Sequence, residues 1–214
     1  EHHSEYIFDI EYQSGIGEGS TFTTAFFPNF SEMNEFFNIT GAGQEYNNPT
    51  QELISLFVPG DTRKEVTVGV PGGFYDADSV FHALPTSTNQ TYTKKYFDSS
   101  PVRADSKANW KVIRYADVLL MYAEALNENG KPQQAIPFLN QVRTRAGLEG
   151  YPNTMSQTET RDAIVLERRL ELSFEGVRWF DLVRTGKAYE VMKDKGMAPY
   201  MTCLLYTSPS PRDA

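Results

Sequence analysis

The sequence predicts a mainly α-helical fold, in which tetratricopeptide-like helical hairpins carry long irregular loops and a short β element lies near the N-terminus. Three observations predict it. Apolar residues recur at spacings of three and four across the second half of the chain, which is the helical period. The first hundred residues instead combine aromatic islands with Gly, Pro, Asn and Asp, as loops do. Between Glu5 and Tyr12, aromatic and aliphatic residues alternate with a period of two, which indicates a strand.

A helical hairpin is predicted between Asn109 and Arg145. Its first apolar residues form two neighbouring helical stripes, so the apolar face is wider than a surface helix needs. The stripes are Ile113, Ala116, Leu120 and Ala123, and Tyr115, Leu119, Tyr122 and Leu126. Gly130 ends the first helix of Asn109–Gly130, and a second helix is expected from about Gln133 to Arg145. The residues expected to be buried between or beneath the helices are Leu119, Ala123, Ala135 and Leu139.

The hairpin matches the tetratricopeptide motif at the positions where its two helices cross. That motif needs small residues there, and this sequence has Ala123 and Ala135. Only one copy of the repeat is recognisable. Because stacked repeats bury their faces against each other, a lone hairpin implies missing or disguised partners.

A third helix is expected after the capping box that Ser156 and Glu159 provide. Its inward stripe consists of Ala163, Leu166, Leu170 and Phe174. Gly176 is expected to end this helix. Two short helices should follow, one from Val177 to Arg184 and one from Lys187 to Lys195.

Three glutamates, Glu167, Glu171 and Glu175, fall on one face of the third helix. Paired carboxylates could hydrolyse a glycosidic bond, but this chemistry needs two carboxyls in different environments across a cleft. Ion pairing with nearby arginines is the more economical interpretation, and exposed pairs contribute at most about 1 kcal/mol each. The residues expected to serve structure in this way are Glu167, Arg168, Glu171, Glu175, Arg178 and Asp181. Arg169 is a further nearby arginine, and Arg114 is expected to pair with Asp117.

Three segments resemble, in order and spacing, the C-terminal signature region of the SusD/RagB glycan-binding lipoproteins. They read RYADVLLMYAEALNENG, LNQVRTRAGL and ERRLELSFEGVRWFDLVRTG. Two upstream segments are similar less specifically, SEYIFDIEYQ and FVPGDTRKEV, and the second contains Asp61 and Arg63. The resemblance extends from about Glu5 to Gly196 and is closest from Asn109 onward.

The resemblance implies a nutrient-capturing lipoprotein that faces outward from the cell outer membrane. Such proteins bind an oligosaccharide or similar nutrient, act with a SusC-like TonB-dependent transporter, and are not known as enzymes. We expect no cofactor and no metal. Attachment to the membrane would come only from an N-terminal lipid anchor, which this sequence does not contain. The alternative is a helical-repeat scaffold that binds another protein.

The resemblance also suggests how the chain is organised. Residues 1–202 are expected to form the C-terminal part of a SusD/RagB-like domain, with a strand and loop region at 1–108 and a helical region at 109–202. Residues 203–214 resemble a translated sequencing adapter and are expected to be an artefactual, disordered tail. The single cysteine, Cys203, lies in that tail, so the remaining sequence has no disulfide and no thiol nucleophile.

The formal net charge is −8, with no cluster of Lys and Arg, which argues against nucleic acid and anionic membrane surfaces as partners. His2, His3 and His82 are too scattered to form a metal site. Asp76 and Asp78 resemble the start of a calcium loop but lack its remaining ligands, so a plain turn is favoured.

Four aromatic residues in the loop region are candidates for binding the ligand. Phe74 and Tyr75 follow two glycines, which allows a loop to project them, and Tyr92 and Tyr96 flank a pair of lysines. Aromatic rings stack on the apolar faces of sugars, while nearby polar groups bind the hydroxyls. The alternative is that these rings only hold the loop against the helices.

Overall fold

The computed structural model describes residues 5–29, 34, 35, 38, 40, 41, 43–69, 73–75, 80–83, 91–98 and 102–194, and for 73–75 it describes the backbone alone. The predicted tail at 203–214 lies outside these residues, and so do Asp76 and Asp78.

The described part of the chain is mainly helical, with short strands in the first half. The helices are α1 (Phe22–Phe26), α2 (Gln51–Leu56), α3 (Arg63–Thr67), α4 (Tyr115–Glu128), α5 (Pro132–Arg145), α6 (Gln157–Glu171), α7 (Arg178–Arg184) and α8 (Ala188–Met192). The strands are β1 (Tyr6–Ile10), β2 (Val68–Gly69), β3 (Gly73–Tyr75), β4 (Phe81–Ala83), β5 (Tyr92–Thr93) and β6 (Trp110–Arg114). They form three antiparallel pairs, β1–β6, β2–β5 and β3–β4.

The predicted hairpin is present as α4 and α5, and the four residues expected to be buried are buried. Its first boundary is wrong, because residues 110–114 form β6 and the helix begins only at Tyr115. Val112 and Ile113 are β-branched and favour a strand, and β1 supplies the partner with Tyr6 opposite Arg114. Ile113 therefore lies on a strand and not in the helical stripe.

Helices α4, α5 and α6 share one hydrophobic core. Ser156 accepts a hydrogen bond from the amide of Glu159, whose side chain bonds back, so the predicted capping box is confirmed. The core consists of Ala116, Leu119, Leu120, Ala123, Ala135, Leu139, Val142, Ala163 and Ile164. Helix α6 ends at Glu171, earlier than expected, and Phe174 has φ +66° in the turn that follows.

The chain divides into two compact units, Glu1–Glu175 and Gly176–Ala214. In the described part of the second unit, α7 and α8 pack against each other. Leu182 of α7 is buried, whereas Trp179 is 38% exposed. Among the described residues, no helix has both the length and the apolar character that a membrane crossing requires.

Candidate functional site

Two of the four candidate ligand residues are buried. Tyr92 is 2% exposed and Tyr96 is 4% exposed, so both rings contact protein in this structure. Tyr92 stacks on Phe97 with ring centroids 6.0 Å apart, and burial raises its pKa. A Cβ at Gly69 would lie 2.0 Å from the Tyr92 ring, so this close approach requires glycine. The placement favours the interpretation that these two rings hold the loop in position.

The other two candidates, Phe74 and Tyr75, lie on β3. Their backbones pair with His82 and Phe81 of β4, which forms a short hairpin. Their side chains lie outside the described part of the structure. Their role as ligand contacts therefore stays a prediction.

Tyr96 belongs to a group of packed rings that sequence analysis did not assemble. We call this group the aromatic cluster, and it consists of Tyr12, Phe22, Phe26, Tyr96 and Trp110. Tyr96 and Trp110 stack with centroids 5.3 Å apart and an interplanar angle of 11°. The other members are half-buried, so the cluster has an accessible edge. The only sequence feature that pointed to this cluster was the abundance of aromatic residues in the first hundred positions.

Polar side chains border the aromatic cluster. The Asn109 side chain accepts a hydrogen bond from the Tyr12 amide at 3.0 Å and donates one to Asp9 at 3.1 Å. The Lys111 ammonium lies 5.9 Å from the centre of the Tyr96 ring, and burial lowers its pKa. Partly exposed rings next to amide and carboxylate groups have the chemistry that carbohydrate recognition uses.

The three glutamates near the end of α6 are buried, and their partners are not the arginines that the sequence suggested. Glu167 accepts a hydrogen bond from Arg63 at 2.5 Å. Glu171 accepts hydrogen bonds from Arg114 at 3.0 Å and from Arg145 at 2.6 Å. Glu175 pairs with Arg114 at 2.7 Å and also with Lys95. We call these residues, with Asp61, the buried charge network.

The prediction that these glutamates form exposed ion pairs is therefore wrong, because their side chains are buried. The expected pair between Arg114 and Asp117 is wrong as well. Arg114 turns towards Glu171 and Glu175, and Asp117 accepts instead from Arg168 at 2.8 Å.

The buried charge network holds the two segments that flank residues 70–91 against the same end of α6. Before this stretch, Asp61 accepts from Arg63 at 2.7 Å, and Arg63 reaches Glu167. After it, the Lys95 ammonium donates to the carbonyl oxygens of Glu171 at 2.8 Å and Ser173 at 3.1 Å. The Tyr96 hydroxyl bonds the carbonyl of Phe174 at 3.3 Å. The network thereby fixes both ends of the loop that carries Phe74 and Tyr75.

The electrostatics of this network differ from one carboxylate to the next. Burial opposes ionisation of Glu171, but the hydrogen bond from Arg145 and the charge of Arg114 outweigh it and lower its pKa to about 2. For Glu167, burial outweighs the attraction of Arg63 and raises the pKa. All three glutamates face basic partners, so the described residues here do not present an unpaired acid and base across an open cleft.

A separate concave feature, which we call the α4–α5 groove, runs between the two helices of the hairpin and has a volume of about 510 Å³. Its floor is apolar and its rim is polar apart from one tyrosine. The floor consists of Ala116, Leu119 and Val142, and the rim includes Tyr115, Gln141 and Arg145. Within the described ranges, no group of three or more His, Cys, Asp or Glu side chains could hold a metal ion.

Comparison with known proteins gives a consistent result. A family model described as the SusD family matches residues 4–202. SusD-like protein P38 from Formosa agariphila is 36% identical over 156 residues, which is 69% of this chain and 28% of the relative. The chain therefore spans well under half the length of this curated relative.

Solved structures agree with that match. A SusD superfamily protein from Parabacteroides distasonis superposes with a TM-score of 0.66 and 32% identity, over 84% of this chain and 39% of the other. Surface glycan-binding protein A from Bacteroides thetaiotaomicron, in complex with laminarihexaose, superposes with a TM-score of 0.67 and 26% identity. That superposition covers 87% of this chain and 44% of the other.

Proposed function

The chain belongs to the SusD family, and from that premise we propose that the whole protein captures a glycan or comparable nutrient at the cell surface without turning it over. It acts as an outward-facing lipoprotein of the outer membrane and passes its ligand to a SusC-like TonB-dependent transporter. The observation that carries the proposal is the similarity to a surface glycan-binding protein whose structure holds laminarihexaose.

Two features of the structure support capture over catalysis. The aromatic cluster combines partly exposed rings with amide and carboxylate groups, which suits binding of sugar faces and hydroxyls. The glutamates that could have formed an acid and base pair are instead held by arginines within the buried charge network.

Phe74 and Tyr75 are the proposed direct contacts with the ligand. Their hairpin lies between two segments that the buried charge network fixes, and such fixed loops lose less conformational entropy when they bind. We propose that the other two candidates, Tyr92 and Tyr96, serve the same site by holding the segment that follows the loop in position.

The test is calorimetry of the intact soluble protein against a panel of glycans that includes laminarihexaose, with product analysis of every mixture. A panel member that binds and is recovered unchanged supports the proposal. Released sugar with ordinary turnover would overturn the non-catalytic part of it. If no glycan or other nutrient binds, the capture function itself is wrong.

The proposed contacts are tested with Phe74→Ala and Tyr75→Ala. Tyr46→Ala is a suitable control, because Tyr46 is also a loop aromatic and is exposed. Loss of binding in the first two variants and not in the control supports the site, and unchanged binding in all three would remove it. Co-purification of the intact protein with a TonB-dependent transporter from detergent-solubilised outer membrane tests the partner.

A further inference from the structure

The loop of residues 70–91, which carries the proposed ligand contacts, closes on a short pair of strands. Strand β2 precedes the loop and β5 follows it, and they pair with Val68 opposite Thr93. The pairing continues one residue further, because the Lys94 amide donates to the carbonyl of Thr67 at 2.9 Å. We call this pair of strands the loop base. Its position limits where the loop can lie.

Lys95 follows the loop base directly, and its ammonium contacts the C-terminal end of α6. It donates to the carbonyl oxygens of Glu171 at 2.8 Å and Ser173 at 3.1 Å, and it pairs with the carboxylate of Glu175. An ammonium has three protons to donate, and each of them has an acceptor here. The last carbonyls of a helix have no partner within the helix, so a lysine that bonds them acts as a C-cap. Lys95 provides this cap from 76 residues away in the sequence.

The turn that follows α6 has an unusual backbone conformation. Phe174 has φ +66°, in the left-handed region that a side chain of this size rarely adopts. Such a conformation persists only where the surroundings hold it. The Tyr96 hydroxyl donates to the Phe174 carbonyl at 3.3 Å, next to the bonds that Lys95 makes. The turn therefore directs its carbonyl oxygens at the two residues that follow the loop base.

The stability of the helices does not depend on the charge of Lys95. Burial lowers the pKa of Lys95, so placing the charged form there has a free-energy cost. Without Lys95, Glu175 would keep both of its hydrogen bonds from Arg114, and the Glu171 carbonyl would keep the one from Arg114 at 3.2 Å. Replacing a buried charge by an apolar side chain of similar size is often neutral for stability. The lysine must therefore contribute something other than stability.

We propose that Lys95 is a positioning residue of the glycan site, because its ammonium holds the loop base on the end of α6. This inference rests on the proposed function of the loop. Val68 of the loop base also clusters with Leu170 of α6, but an apolar contact has no preferred direction. Three hydrogen bonds from one ammonium fix both the position and the orientation of the segment. Loss of the ammonium should therefore disturb the loop while the helices stay folded.

The test replaces Lys95 by methionine in the intact protein, since methionine has a similar length and no charge. The matched control is Lys94→Met. Lys94 is the preceding residue, and its ammonium also donates to a backbone carbonyl, that of Glu65 at 2.8 Å, but at an exposed position. Hydrogen exchange is measured at the amides of residues 81–83 and 92–93, glycan affinity by calorimetry, and stability by urea unfolding.

In Lys95→Met these amides should exchange at least about tenfold faster, and glycan should bind at least about tenfold more weakly. The urea midpoint should stay within about 0.3 M of that of the unsubstituted protein. In Lys94→Met, exchange and affinity should change by less than about threefold. Unchanged exchange in Lys95→Met would overturn the proposal. A urea midpoint that falls together with the affinity would also overturn it, since Lys95 would then serve stability alone.

A rescue experiment separates the ammonium from the length of the side chain. Lys95→Cys, in a background without other cysteines, is alkylated in denaturant and refolded. Bromoethylamine restores an ammonium at nearly the length of lysine, whereas bromopropane gives a neutral chain of the same length. Slow exchange should return with the first reagent and not with the second. Equal exchange in the two products, or a neutral product that does not refold, would overturn the proposal.

The exchange measurements need no ligand, so they separate this inference from the proposed function. If the unsubstituted protein binds no glycan or other nutrient, the capture function is wrong. The exchange rates of Lys95→Met then still decide whether Lys95 positions the loop base.

Discussion

The guanidinium of Arg114 donates from Nε and Nη2 to the two carboxylate oxygens of Glu175, at 2.8 and 2.7 Å, and both residues are buried. Arg114 is the last residue of β6, whereas Glu175 lies just beyond α6. A two-point hydrogen bond of this kind fixes orientation as well as distance. It therefore ties the strand that leads into the hairpin to the end of the third helix.

We expect Arg114→Leu to lower the free energy of unfolding by about 3–5 kcal/mol, because Glu175 would remain buried without its two-point partner and Glu171 would lose one of its arginine partners. The matched control is Arg161→Leu. Arg161 also makes two hydrogen bonds to one carboxylate, that of Glu128 at 2.7 Å each, but this pair is exposed and should matter far less. Urea unfolding of both variants measures the difference. Equal effects would show that burial does not set the importance of these pairs.

Stability should fall in acid through Glu171. In the unfolded chain this carboxyl titrates near 4.5, whereas in the folded state its pKa is about 2. As the pH falls, the unfolded state binds the proton first, so the contribution is complete above 4.5 and is lost by about 2. Glu171→Gln should therefore flatten the dependence of unfolding free energy on pH in this range, by up to about 1.4 kcal/mol per pH unit.

Glu167 should act with the opposite sign, since its folded-state pKa is raised. Its contribution to stability is complete below 4.5, the value for the unfolded chain, and is lost as the pH rises through the folded pKa. Glu167→Gln should consequently reduce the loss of stability that occurs as the pH rises from 4.5 to the folded-state pKa of Glu167. Unfolding free energies of both variants, measured in parallel, test the pair of signs. The same direction of change in both would contradict the assignment.

The crossing of α4 and α5 should tolerate no large side chain at Ala123, which is fully buried. Ala123→Trp is expected to lower the free energy of unfolding by about 1–3 kcal/mol, since overpacking displaces the neighbouring side chains. Ala125→Trp changes the same helix at an exposed position and is the control. Thermal unfolding compares the two. A melting temperature lowered equally in both would mean that helix propensity, and not the crossing, is responsible.

Tyr96→Ala and Tyr75→Ala should separate the support of the loop from contact with the ligand. Tyr96 is buried and stacks on Trp110, so its truncation should lower the free energy of unfolding by about 3–5 kcal/mol. Tyr75→Ala should weaken glycan binding by the intact protein with little change in its unfolding. Calorimetry and urea unfolding on the same preparations measure both quantities. A stable Tyr96→Ala protein that no longer binds would make Tyr96 a direct contact after all.

Local periodicity was sufficient to predict the hairpin and the start of the third helix. Leu119, Ala123, Ala135 and Leu139 are buried as expected, and the Ser156 capping box is formed. These features depend on residues within one or two helical turns, so the sequence contains all the information that they need. The resemblance of the same segments to SusD/RagB proteins led to the family that comparison then confirmed.

Only the tertiary structure decided which distant residues meet. Residues 110–114 continue a helical pattern locally, yet they form a strand because β1, about a hundred residues earlier, pairs with them. Arg63, which donates to Glu167, is 104 residues away in the sequence, so the nearby arginines suggested by spacing were the wrong ones. In the same way, Tyr12, Phe22 and Trp110 form one aromatic cluster from separate segments. A side chain's partner over such distances depends on the path of the chain between them, and helical or strand periodicity contains no information about that path.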